Sequence, residues 1–214
     1  MKAIAVYVEG GGNHPGPELR VGFDALLKTQ KAAAQARRLR WSMVLCGDRR
    51  ATCDAFLDAV SKEPEVVNVL LVDSEEPIAA QTSDAKEDAA ARRQHLKVRD
   101  GWNLDAVDAE RIHLMVQCME AWIVSDPEAL AAFYGQYFKA NALPARQNLE
   151  EEPKQDLYDK LDKATSDKRL TKGSYGKIRH ASELLKRIDP AKVAARCPRF
   201  ATFTRWLDAT IAGT

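Results

Sequence analysis

The chain has no apolar run near the roughly 20 residues that a membrane-crossing helix needs, so a helical span is not expected. Its four cysteines, Cys46, Cys53, Cys118 and Cys197, make no C-x-x-C pair and match no zinc-ligand spacing. They read as buried thiols of a protein in a reducing cytoplasm. An excess of one charge is also missing: 32 Lys and Arg face 31 Asp and Glu, a net charge of +1. That argues against a wholesale polyanion binder and leaves room only for a local basic face. There is no G-x-x-x-x-G-K-[ST] sequence, which sets aside P-loop nucleotide hydrolysis. No nucleophile elbow is present for serine–histidine–aspartate chemistry. Lys2 is followed by Glu9 too soon for a secretory signal, so the expected location is cytoplasmic.

What is present is ordinary globular material. Hydrophobic residues make up 45% and charged residues 29% of 214 positions, enough for one sizeable domain, with room for a small appendage. Residues 3–8, AIAVYV, are apolar and β-branched and read as a buried strand. From Pro17 a helix is expected, with Leu19, Phe23, Leu26 and Leu27 on one stripe and Arg37, Arg38 and Arg40 near its end. Residues 41–48 read as a second strand and 49–63 as a helix stopped by Pro64. Residues 66–77, VVNVLLVDSEEP, are the strongest strand signal and end in acid. Residues 79–99 read as a polar surface connection with some helix. A fourth strand follows near 112–116, and Asp126-Pro127 opens a further helix as N-cap and first residue. Residues 141–154 read as a linker or long loop, and the remainder as helical. In KGSYGKIRHASELLKRIDP, Tyr175, Ile178, Ala181, Leu184, Leu185 and Ile188 recur at helical spacing. The alternation of strands and helices predicts an α/β fold with a parallel sheet and right-handed crossovers.

In such a sheet the ligand crevice lies beyond the carboxyl ends of the strands. Glu9 stands at that end of the first strand; Asp73 and Glu75 stand at that end of the third. Two apart on an extended segment, Asp73 and Glu75 are expected on one side. If the first and third strands are neighbours, three carboxylates converge. Close like charges repel unless a cation neutralises them, and an all-oxygen ligand set favours Mg2+ or Mn2+. Gly10, Gly11 and Gly12 would then let a phosphate approach closely. The competing reading is that these acids are helix caps or solvated loop residues.

The segments VYVEGGG and LLVDSEEP together resemble a TOPRIM domain, with a glutamate after the first strand and an acidic pair after a later one. Joined by HLMVQCMEAWIVSDPEAL and KGSYGKIRHASELLKRIDP, they resemble an uncharacterised bacterial family that is similar to RloB-like proteins and OLD-type TOPRIM nucleases. The resemblance implies residues 1–140 as a TOPRIM-like α/β core and 141–214 as a helical C-terminal segment packed on it. It implies Glu9 as acid/base or metal-linked residue and Asp73 and Glu75 as Mg2+ or Mn2+ ligands, with Glu120 as a further ligand. Glu120 can equally satisfy a buried donor beside Trp122. The implied activity is a metal-dependent nuclease on DNA or RNA in a phage-defence or mobile-element setting. The other implied role is a non-catalytic subunit that partners an ATPase. Glutamate in place of aspartate at the second position of the pair leans towards a nuclease over a topoisomerase.

Basic residues supply the remaining candidates. With Tyr175 and Ile178 turned inwards, Lys177 and His180 would share an outer face and, with Lys172, contact phosphates. The bland alternative is a solvated helix face. Arg20, in the first helix near the glycines, is a further phosphate candidate. His95 and His113 have no partners at ligand spacing. Trp102, Trp122 and Trp206 read as core anchors. Gly10, Gly12 and Gly16 loosely echo a dinucleotide loop, for which Asp48 would have to supply the ribose contact.

Overall fold

The computed structural model describes residues 2–10, 17–79 and 81–214, leaving aside the side chains of residues 17 and 18. Four strands form one sheet: β1 Ala3–Val8, β2 Arg40–Leu45, β3 Val66–Asp73 and β4 Ile112–Met115. Their order is β2-β1-β3-β4 and every pairing is parallel. This is the α/β architecture expected, consistent with a TOPRIM-like fold. The inner strand β1 is buried along its whole length, and β3 everywhere but Val67. That is why both read as continuous apolar runs, without the alternation of a half-solvated strand.

Successive side chains of these strands enter two separate cores. Ile4, Val6, Val8, Val69, Leu71 and Met115 join one; Ala5, Tyr7, Leu70, Val72, Ile112 and Leu114 join the other. The second core is closed by α3 (Arg49–Lys62) and α4 (Ala85–Asp100), through Phe56 and Leu96. The first is covered by α1 (Pro17–Leu26), α2 (Lys28–Ala36) and the C-terminal helices. These are α5 (Glu120–Val124), α6 (Pro127–Tyr134), α7 (Lys154–Ala164), α8 (Lys177–Leu185), α9 (Pro190–Arg196) and α10 (Pro198–Gly213).

Several local expectations hold for visible reasons. Asp126 accepts from the Ala129 N–H at 3.2 Å and caps α6, with Pro127 in its first position. Asp48 is the N-cap of α3, accepting from Ala51 N–H at 2.8 Å; this occupies the residue a dinucleotide loop would need. Others are corrected. The expected single helix after Pro17 is two, broken at Leu27. The break lets α2 present Gln30 to Asp208 of α10 (3.0 Å) while Phe23 and Leu26 of α1 stay in the core. Arg40 belongs to β2, not to the helix. Residues 85–100 form a full 16-residue helix where mainly a surface connection was expected. Its buried stripe is Asp88, Ala89, Arg92 and Leu96, and two charges in four positions hide it from a hydropathy reading. The stretch 141–154 is the long loop expected, with only short 3-10 turns before α7, but it is packed down and not a free linker, since Leu143, Leu149, Glu150 and Glu152 are all buried.

Helices α1 and α8 meet at Gly22. A Cβ there would lie 2.9 Å from both Cα and the carbonyl oxygen of Ser182, backbone atoms that cannot swing aside. Gly22→Ala is therefore expected to destabilise the fold by about 1–3 kcal/mol through overpacking. Denaturant unfolding measures it, and an unchanged midpoint would refute the close approach.

Candidate active site

The strand register brings the acids together. β1 lies beside β3, with Val8 paired to Leu71, so Glu9 and Asp73 leave the same end of adjacent strands. One carboxylate oxygen each of Glu9, Asp73 and Glu75 lies within 4.8 Å of the others. The route for Glu75 differs from the one expected. It does not continue an extended strand: its φ is +67°, a left-handed conformation that costs a non-glycine residue about 1 kcal/mol or more. Its N–H is tied to the Gln117 carbonyl at 2.8 Å, and Ser74 N–H to the Met115 carbonyl at 2.9 Å. The turn that returns the Glu75 carboxylate to Asp73 is thus held by the end of β4.

Asp73 is fully buried. Its Oδ1 accepts from Met119 N–H at 2.8 Å, while Oδ2 has no hydrogen-bond partner among the described residues. Burial pushes its carboxyl well above the ordinary range. The Lys177 charge opposes that shift, and Glu9 and Glu120 reinforce it. The ammonium of Lys177, at the start of α8, stands 3.5 Å from Asp73 Oδ2 and 3.9 Å from Glu120 Oε1. Burial works against that charge, but Asp73, Glu120 and Glu9 outweigh it and hold the amine above its usual value.

Glu120 is also fully buried but stands outside the group of three acids, which it adjoins through the shared Lys177 ammonium. It accepts from the Tyr175 hydroxyl at 3.0 Å, and its other oxygen has no hydrogen-bond partner among the described residues. The KGSYGK segment therefore serves the site by two residues, Tyr175 on Glu120 and Lys177 between the acids.

Two further cations, not singled out in the sequence, complete the cluster. Lys154 Nζ meets Glu75 Oε2 at 2.5 Å. Arg49 reaches Glu9 at 3.3 Å, hydrogen-bonds the Asp73 carbonyl, pairs with Asp100 at 2.7 Å and lies 5.0 Å over the Trp102 ring. Arg49 had a readable signal: it opens the helix after β2, and in a parallel sheet that helix start faces the same crevice as Glu9. Lys154 had none, because it lies at the end of a stretch that reads as a linker.

The other phosphate candidates fare differently. Gly10 has φ +130° and exchanges hydrogen bonds with Gly47 (N–H to carbonyl 2.7 and 2.9 Å), so its N–H is spent on that bridge. Gly11 and Gly12 lie outside the described residues. Arg20 is exposed on α1. The shared outer face proposed for Lys177 and His180 is corrected: Ile178 is 70% exposed, whereas His180 is buried. The His180 Nδ1 lies 3.1 Å from the Tyr134 hydroxyl and accepts from Gly176 N–H at 3.2 Å. Periodicity fails here because Tyr175 precedes the helix, so α8 begins its count two residues later. Lys172 sits 4.5 Å over the Phe133 ring.

With this geometry in place, a family model described as DUF4276, a domain of unknown function, matches residues 17–208. The chain belongs to that family. Asp73, Glu75, Glu120, Lys154 and Lys177 fall within the matched span, and Glu9 precedes it. No curated protein and no solved structure matches the chain. Among the described residues no helix is long and apolar enough to cross a membrane.

Proposed function

We propose that this DUF4276 protein is a metal-dependent phosphodiesterase acting on DNA or RNA, with Glu9, Asp73 and Glu75 holding Mg2+ or Mn2+. The observation that carries the reading is the convergence of three carboxylates from two neighbouring strand ends, within 4.8 Å of one another. The ligand fit rests on the donor set, which is oxygen only, and on Asp73 Oδ2, a buried acceptor without a hydrogen-bond donor among the described residues. The resemblance to RloB-like and OLD-type TOPRIM proteins points the same way. When bound, the cation supplies charge for the phosphoryl oxygens and an activated water.

The chain's own groups have separable tasks. Arg49 fixes the Glu9 carboxylate against α3. Tyr175 fixes Glu120, and Glu120 with Asp73 holds the Lys177 ammonium at the mouth of the crevice. With about two-fifths of its side chain accessible, Lys177 can meet a substrate phosphate without leaving the cluster. Lys154 does the same for the Glu75 side.

A second reading has its own support. Each acid of the cluster already faces a cation, Arg49, Lys177 or Lys154, as a non-catalytic subunit docking on an ATPase would require for an internally balanced pocket. The two readings part in one experiment: cleavage of single- and double-stranded DNA and RNA, with Mg2+ or Mn2+, by the wild type and Glu9→Gln. The nuclease reading expects cleavage that is metal-dependent and lost in the variant. Cleavage undiminished in Glu9→Gln would end this mechanism, and no cleavage of any substrate favours the docking subunit.

A further inference from the structure

The charges of the chain balance overall, at +1, but they are not evenly spread. Between residues 163 and 187 eight Lys and Arg meet only two acids, Asp167 and Glu183. This stretch runs from the end of α7 to just past α8 and includes Lys177 at the acid cluster. Both of its acids are already taken. Asp167 is tied by its two oxygens to Arg169 at 3.0 and 2.8 Å, and Glu183 pairs with both Lys186 and Arg187. No other acid lies within ion-pair distance of Lys172, Arg179 or Arg187 among the described residues.

Neighbour contacts give the order of these cations outwards from the acids. Lys177 stands 3.5 Å from Asp73. Two residues on, Arg179 folds back over Gly176, the N-cap of α8. A Cβ on that glycine would come 3.1 Å from Arg179 Nε, and the guanidinium reaches the Ser174 carbonyl at 3.4 Å. His180 then links α8 to α6, its ring 5.7 Å from that of Phe133. Burial, and after it the Arg179 and Lys172 charges, hold the His180 imidazole below its ordinary pKa, which reports how close both cations are. The Phe133 centroid lies 4.5 Å from the Lys172 ammonium and 5.3 Å from the Arg187 guanidinium carbon. Lys172, Arg179 and Arg187 are all exposed.

Like charges gathered around one ring repel, and the Phe133 face attracts each cation by only about 0.5–1 kcal/mol without cancelling its charge. An anionic partner removes that repulsion. The rings themselves are not open to bases, since Phe133 is 8% and Tyr134 4% exposed. What the surface offers a polynucleotide is cationic contact with backbone phosphates, which positions a strand and reads no sequence. Ile178 is the large apolar side chain that this stretch exposes, and one such side chain is too little to enter an acyl layer, which disfavours an anionic membrane. We propose that Lys172, Arg179 and Arg187 form the track on which a polynucleotide strand lies as it enters the acid cluster, its phosphates held and its bases unread. The assignment rests on the phosphodiesterase reading of that cluster, and it concerns binding, which is measurable without metal or cleavage.

The test is fluorescence anisotropy with labelled oligo(dT), oligo(dA) and oligo(rU) of about 20 nucleotides, longer than the usual single-strand site. The full chain is used in EDTA over a series of salt concentrations. The wild type is expected to bind all of them with similar Kd, about 1–100 µM at physiological salt. The triple variant Lys172→Ala, Arg179→Ala, Arg187→Ala should bind about tenfold more weakly or worse, with a log–log salt slope shallower by about 2, as three lost phosphate contacts require. Should it fail to fold, Arg179→Ala alone should lower the slope by about 0.7. Removing the same charge across the sheet, with Arg50→Ala, Lys62→Ala and Lys86→Ala on α3 and α4, should change Kd by less than about twofold. No binding by the wild type, a preference above about tenfold among the oligonucleotides, equal weakening in the two triple variants, or tighter binding to phosphatidylserine vesicles would overturn the track. A parallel cleavage assay with Mn2+ separates the two ideas. Binding in the expected pattern without cleavage supports the basic surface and counts against the phosphodiesterase reading. Metal-dependent cleavage, with binding unchanged in the Lys172, Arg179 and Arg187 variant, does the reverse.

Discussion

Asp73→Asn is expected to lower divalent-cation affinity about 100-fold or more and to reduce nucleic-acid cleavage by on the order of 1,000-fold. Second-sphere partners of a metal alone account for about 10–100-fold in affinity, and a direct ligand exceeds that. A thousandfold in rate corresponds to about 4 kcal/mol, within the several kcal/mol a cation contributes to phosphoryl charge. The fold is expected to survive. Asparagine keeps an oxygen for the Met119 N–H, and it removes a fully buried carboxylate that faces Glu9 and Glu75. Lys177, released from Asp73, is exposed enough to hydrate. The metal-free variant should therefore melt no lower than the wild type, a pairing of retained stability with lost function typical of a costly site. A melting temperature that falls by 10 degrees or more would mean that Asp73 is chiefly a structural ion-pair partner.

The largest stability loss is expected elsewhere, at Arg199. Its guanidinium joins Asp88 of α4 at 3.1 Å, Glu150 at 3.4 Å and the Ala79 carbonyl at 2.7 Å, in a setting where all three charged residues are buried. Arg199→Met leaves Glu150 without its ion-pair partner and Asp88 with Arg92 alone. Removing one member of a buried pair costs about 3–5 kcal/mol, readable by urea unfolding. The same network predicts a pH dependence. Burial raises the Glu150 carboxyl to about 7 from an ordinary 4.5, against the Arg199 bonds that pull it down. Between those values the folded state binds the extra proton. Its contribution is full below pH 4.5 and is lost as pH rises through 7. Over that window stability should fall by up to about 1.4 kcal/mol per pH unit from this group, and Glu150→Gln should flatten the slope. An unchanged slope in Glu150→Gln would place the dependence on another group.

How much of this was legible in the sequence depends on what kind of signal each element leaves. β1 and β3 were readable because strands buried on both faces are apolar throughout, and the αβ alternation implied parallel pairing. The acidic strand ends followed from that topology, since β1 and β3 are neighbours. What brings Glu75 to Asp73, however, is a left-handed turn held by Gln117, and a strand pattern carries no trace of it. α4 was obscured by Asp88 and Arg92, which pair with each other on the helix, and by Arg199, which takes the other Asp88 oxygen from 111 residues further along the chain. Long-range ion pairs of this sort leave no local periodicity. Lys177 was found for the wrong geometric reason: His180, its supposed neighbour on the outer face, turns into the core against Phe133 and Tyr134. Arg49 was within reach of topological reasoning, and Lys154 was not.

The central claim is that Glu9, Asp73 and Glu75 share one cation, and a crystal grown with Mn2+ addresses it directly. The expected result is an anomalous peak about 2.0–2.6 Å from an oxygen of each of the three carboxylates, with the Lys177 ammonium displaced from Asp73. A map at millimolar Mn2+ that shows no peak there, with Lys177 still on Asp73, would contradict it.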